Sequence, residues 1–215
     1  MNWNKIHSDT FETQLGSVEF SVMGTADLDC VQTESSNLKT LAHFIEIIAF
    51  DDIKEWVKET NPIEKSRGWI VRISKINDEK ENLSLQCRLN PKGEHVTAEV
   101  DSGEGLDALW IEDQEEVVSI GTEDGEMMKF RAEKSDWMPS RFKEKLGYQS
   151  ASEFSFTTYV DFGLKTNVPE LNKGEKIYFH YLIATNKKSL NKDDISTNLA
   201  VDFPKWKLIE GLELD

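Results

Sequence analysis

Leu83-Ser84-Leu85-Gln86-Cys87-Arg88-Leu89 sets an apolar residue at every second position. Successive side chains of extended backbone point to opposite faces, so strict alternation over seven residues marks a half-buried strand. Asn90-Pro91-Lys92-Gly93 closes it with residues that favour a turn, and residues 95–100 read as a return strand. Upstream, residues 69–76 (WIVRISKI) place Ile70, Arg72 and Ser74 on one face and Val71, Ile73 and Lys75 on the other, before the turn Asn77-Asp78. The links are too short for a helical crossover, so the three segments are expected to form an antiparallel meander.

The same pattern extends outward. Residues 17–22 (SVEFSV) alternate with Val18, Phe20 and Val22 inward, whereas residues 41–50 (LAHFIEIIAF) fit a strand or a helix. Residues 51–58 (DDIKEWVK) read as a short helix with an Asp cap, ended by Asn61-Pro62. Residues 116–120 and 127–132 read as a hairpin through Glu123-Asp124-Gly125-Glu126, since Asp-Gly suits the left-handed turn of hairpins. Residues 138–147 read as a second short helix, with Pro139 near its first turn and Gly147 at its close. Residues 154–162 and 176–185 read as longer strands joined by a loop, and residues 197–201 add a further strand. Residues 186–194, polar with three lysines, read as a mobile loop. Eight to ten strands with two short helices predict a mainly β chain. It is expected to form one β-rich domain over residues 1–215, an antiparallel β-sandwich or curled β-barrel.

Composition narrows the function. Forty acids against 25 Lys and Arg give a formal charge of −15, which disfavours binding to the phosphate backbone of nucleic acids. The apolar fraction of 38% is too high for a chain disordered throughout. The opening MNWNKIHSDTFETQ lacks the basic and apolar regions of a secretory signal, and no apolar run approaches bilayer-spanning length. Cys30 and Cys87, neither in a CxxC pair, are expected as reduced thiols in a cytoplasmic protein.

No catalytic signature stands out. The histidines His7, His43, His95 and His180 form no HExxH motif, the serines lie in no GxSxG, and the glycines match neither phosphate-binding loop. The segment DSGEGLD (101–107) alternates acids and glycines as calcium loops do but lacks the twelve-residue spacing. No cofactor and no metal are expected, and the balance leans against catalysis.

Charge distribution is the most informative feature. Residues 94–133 hold 13 acids and two bases, with Trp110 inside the block. Concentrated charge attracts an oppositely charged partner and speeds encounter. The leading expectation is therefore a non-enzymatic protein that binds a basic protein partner through Asp101, Glu104, Asp107, Trp110, Glu112, Asp113, Glu115 and Glu116. An inhibitor or immunity-type role against a cationic enzyme fits the same charge logic. The alternative is a carbohydrate-binding β-sandwich or glycan-active enzyme using Trp137, Tyr178, His180 and Trp206, because aromatic faces stack on sugars. The third reading is an assembly subunit forming a homo-oligomer.

Overall fold

The computed structural model describes residues 2–25, 27, 31–34, 36–51, 53, 63–103, 105–134, 137–144, 146, 150–188, 195–202 and 208. Two antiparallel sheets pack face to face as a sandwich, and neither closes into a barrel. The smaller sheet runs β1 (Asn4–Glu12), β2 (Gly16–Gly24), β7 (Leu83–Pro91), β12 (Gly163–Asn167), β11 (Thr157–Val160). The larger runs β3 (Gln32–Glu34), β4 (Asn37–Lys39), β5 (His43–Asp51), β6 (Lys65–Lys75), β13 (Lys176–Lys187), β10 (Glu116–Glu123), β9 (Leu106–Glu112), β8 (Thr97–Val100).

The alternation in β2 and β7 does what their sequences predict. Val18, Phe20 and Val22 join Leu83, Leu85, Cys87 and Leu89 on the inner face of the smaller sheet. They meet Trp69, Val71 and Ile73 of β6 and Ile177, Phe179, Tyr181 and Ile183 of β13. Phe20 stacks on Trp69 with ring centroids 5.2 Å apart, a contact worth about 0.5–1.5 kcal/mol beyond simple burial. Three hydroxyls within this core bond to one another: those of Thr157 and Thr166 lie 2.8 Å apart, and that of Tyr181 bonds Thr166.

Strand β13 is buried on both faces. Its outer side contributes Tyr178, Leu182 and Ala184 to a second, smaller core with Ile70, Phe50, Ile53, Ile63 and Leu208. Ala200 and Val201 of helix α3 (Ser196–Val201) cover this core. That double burial explains why KIYFHYLIAT reads as nearly continuous apolar sequence.

Several expectations are corrected. The meander does not form: β6 and β7 lie in different sheets, and β8 pairs with β9, not with β7. Residues 76–82 therefore cross from one sheet to the other. The hairpin at 116–132 is also absent, because β10 is followed by helix α1 (Gly125–Glu133). Asp124 is its N-cap, its side chain accepting from Met127 N at 2.9 Å, and Met127 to Glu133 are good helix formers. Residues 197–201 are helical rather than extended, with Ser196, Thr197, Ala200 and Val201 buried at helical spacing.

The strand expected at 154–162 divides into a 3₁₀ turn, Ala151–Phe154, and β11, and a two-residue turn at Asp161 and Phe162 leads into β12. Phe162 takes a left-handed φ of 54° there. Gly163 has to be glycine, since a Cβ would lie 2.4 Å from the Cys87 carbonyl of the adjacent strand. The ambiguous stretch 41–50 is strand β5, and the second expected helix is present as α2 (Ser140–Glu144). The first, at 51–58, falls almost wholly outside the described residues, as do positions 189–194 of the expected mobile loop.

Candidate functional site

The acidic block builds one end of the larger sheet, where β8 is the edge strand. Leu109 and Ile111 of β9 point into the core, so Trp110 and Glu112 stand on the outer face. Glu99 of β8 lies directly opposite Trp110. Directly opposed residues have their Cβ atoms about 4.5–5.5 Å apart, so Glu99 and Trp110 are cross-strand neighbours. Glu112 completes the group: its Oε2 accepts from Trp110 Nε1 at 3.0 Å and its Oε1 from Lys188 Nζ at 2.8 Å. Burial alone would raise the Glu112 pKa, but the Lys188 and Trp110 hydrogen bonds outweigh it and hold the carboxyl below its ordinary value.

The remaining acids do not share that face. Asp107, five residues before Glu112 and so of opposite parity, turns inward and accepts from the Tyr159 hydroxyl of β11 at 3.1 Å. Burial, aided by the charge of Asp124, raises its pKa against that hydrogen bond. Asp101 is half-buried in the β8–β9 loop, its N–H bonded to the Ala108 carbonyl at 2.9 Å. Asp113 organises the β9–β10 turn by accepting from Glu115 N at 2.7 Å and Glu116 N at 2.9 Å, and Glu115 is exposed beside it. Glu116 leaves the set. It is 3% exposed, and its carboxylate crosses to the other sheet to accept from Leu15 N at 2.8 Å. Glu104 lies outside the described residues.

Of the aromatic set, Tyr178 and His180 offer no open ring, being 1% exposed each on the covered face of β13. Arg131 of α1 packs its guanidinium 4.8 Å from the Tyr178 ring while donating to the Tyr178 carbonyl at 2.9 Å and Glu123 Oε2 at 2.7 Å. Trp137 is half-buried, between Arg72 and Lys176 at 5.6 Å and 5.1 Å from its ring, with a left-handed φ of 41°. Trp206 and Cys30 fall outside the described residues. Cys87 is fully buried, which raises its thiol pKa.

A second group lies at one end of the sandwich. Along β5 and β6 the inward pairs run Ile47–Val71, Ile45–Ile73 and then His43–Lys75, so the core ladder ends on two polar residues. His43 Nδ1 is 2.8 Å from Glu81 Oε2, which also accepts from the Thr40 hydroxyl and from Ala42 N at 3.2 Å. His43 and Lys75 border a cavity of about 340 Å³ walled by residues 77–83 and 168–173. The signal was present in the sequence, for Lys75 alternates with Val71 and Ile73, and His43 with Ile45 and Ile47. Only the fold brings Glu81 and the second wall to them. Among the described residues no group of three or more His, Cys, Asp or Glu is placed to hold a metal ion.

No family model, curated protein or solved structure matches the chain. Among the described residues, no helix is long and apolar enough to cross a membrane.

Proposed function

We propose that the chain is a cytoplasmic, non-enzymatic binding protein whose β8–β9 edge receives a basic protein partner. The arrangement of Glu99, Trp110 and Glu112 supports this reading more than any other observation. An indole attracts a guanidinium or ammonium group to its face, and flanking carboxylates add charge-assisted hydrogen bonds. Glu112 is fixed by the Trp110 N–H, so it meets an incoming cation already oriented. Asp113 and Glu115 extend the negative field along the β9–β10 turn. Lys188 shows the preference within the chain itself, donating to Glu112 and, at 3.0 Å, to the Asp113 carbonyl. A protein that lays such a face over a cationic enzyme's groove would act as its inhibitor, in the manner of an immunity protein.

The test is affinity capture from native-source extract at low and moderate salt, with a wild-type bait and a Glu99→Lys/Glu112→Lys/Glu115→Lys bait. A stoichiometric basic protein held by the wild type, weakened by salt and lost from the reversed bait, is expected. A partner held equally by both baits would reject this surface.

A further inference from the structure

We infer that a segment of the basic partner adds to β8 as an antiparallel strand in which basic and apolar residues alternate. This deepens the partner-binding reading and rests on it. β8 ends the larger sheet, and among the described residues β9 is its only strand partner. In an antiparallel pair, directly opposed residues alternate between those that exchange both backbone hydrogen bonds and those that exchange none. Asp101 N donates to the Ala108 carbonyl at 2.9 Å and Gly103 N to the Leu106 carbonyl at 3.1 Å, so the bonded pairs continue as Glu99 with Trp110 and Thr97 with Glu112. Ala98 and Val100 therefore fall in the non-bonded pairs, and their N–H and C=O groups point away from β9 along the edge. Residues 97–100 are all exposed, so the edge is open. It offers four backbone groups to a further strand, and the segment has no lysine, proline or bulge of the kind that guards such edges.

The side chains define the occupant. Ala98 and Val100 lie opposite Ile111 and Leu109, on the face that β9 turns into the core, but the core stops at β9: Ile111 and Leu109 are buried, while Val100 is 57% exposed. Thr97 and Glu99 lie on the outer face with Glu112 and Trp110. Paired strands run about 4.8 Å apart, so an added strand sets alternate residues beside Thr97 and Glu99 and the residues between them beside Ala98 and Val100. Glu99, with Glu112 behind it, favours Lys or Arg in the first set, and Val100 favours apolar residues in the second. A second copy of β8 does not fit. Antiparallel pairing that joins Ala98 of each copy to Val100 of the other puts Glu99 opposite Glu99, and directly opposed like charges are destabilising. Glu99 thus guards the edge against its own kind while admitting a basic strand.

The experiment follows the backbone amides of the intact protein by NMR, as shifts and as hydrogen exchange, during titration with the end-blocked peptide RVKVRVK. Saturable binding weakened by salt is expected, with exchange of the Ala98 and Val100 amides slowed about tenfold or more at saturation. Two controls keep every charge: the isomer RKRKVVV, and RVKVRVK with its three valines N-methylated, which removes the donors that reach the Ala98 and Val100 carbonyls. Each is expected to bind about tenfold more weakly. Ala98→Pro deletes an outward N–H that the β9 ladder does not use, so the sheet is retained while affinity for the alternating peptide falls about tenfold. The N-methylated peptide needs no variant and secures the test if Ala98→Pro fails to fold. Equal affinity for the three peptides, with Ala98 and Val100 exchanging as in the free protein, would overturn strand addition and leave the basic-partner reading standing. No binding by any of them would overturn both. Protection of these amides that rises with protein concentration and needs no peptide would overturn the inference by assigning the edge to a second copy.

Discussion

Replacing Glu116 by alanine should destabilise the fold, whereas the same change at the adjacent Glu115 should not. Glu116 sends its carboxylate from β10 to the Leu15 amide in the β1–β2 turn, joining the two sheets over 2.8 Å, and Leu15 is 1% exposed. A hydrogen bond to a charged group contributes about 1.5–3 kcal/mol, and a buried donor left without an acceptor costs about 1–3 kcal/mol. These describe largely the same loss, so Glu116→Ala should cost about 2–3 kcal/mol. For a chain of this length that lowers Tm by about 4–12 °C. Glu116→Gln keeps an acceptor without its charge and should lose about 1 kcal/mol, while Glu115→Ala, at an exposed site, should stay within about 0.5 kcal/mol. Urea unfolding of the three variants beside the wild type measures the series. Glu116→Ala and Glu115→Ala agreeing within about 0.5 kcal/mol would refute the inter-sheet bond and return Glu116 to the acidic surface.

Asp124→Ala removes the cap of α1 and the acceptor for Gly105 N at 3.2 Å, and should cost about 1 kcal/mol in urea unfolding, with Asp124→Asn closer to wild type. At Glu81, burial would raise the carboxyl pKa, but hydrogen bonds from His43 and Thr40 outweigh it and hold the value below normal. A depressed folded-state pKa contributes stability above the unfolded value of about 4.5 that is lost as pH falls through the folded one. Unfolding free energy should therefore drop on acidification below about pH 5 less steeply in Glu81→Gln than in the wild type, and parallel profiles would contradict this. The buried Cys87 thiol should resist a thiol reagent at pH 8 in the native protein and react once urea unfolds it, which a labelling time course reads directly.

The sequence makes local structure legible wherever side chains alternate. The inward faces of β2, β6 and β7 follow from residues 17–22, 69–76 and 83–89, and with them the two-layer β class. What it does not carry is which strands pair. Seven residues between β6 and β7 serve equally for a turn within one sheet or a crossing between two, and the choice depends on β13 and β12, distant in the chain. Asp124-Gly125 was ambiguous for a chemical reason, since the same Asp suits a hairpin turn and a helix cap, and the helix-forming run after it decides. Of the candidate surface, Trp110 and Glu112 were readable from composition. The parting of Asp107 from Glu112 follows from period-two arithmetic once β9 is known to be a strand. Glu99 was out of reach, because its place opposite Trp110 depends on β8 pairing with β9. Glu116 misled because charge ordinarily marks the surface, and its burial depends on a backbone amide 101 residues away.

The most direct measurement of the partner-binding account is an NMR titration of the Trp110 indole N–H with an extended nona-arginine peptide, beside an equally long nona-glutamate control. The account predicts a saturable shift of the Trp110 signal with arginine alone, weakened by salt and reduced at least tenfold in affinity by Glu99→Lys. A Trp110 signal unmoved by the basic peptide, or moved equally in the Glu99→Lys protein, would contradict it.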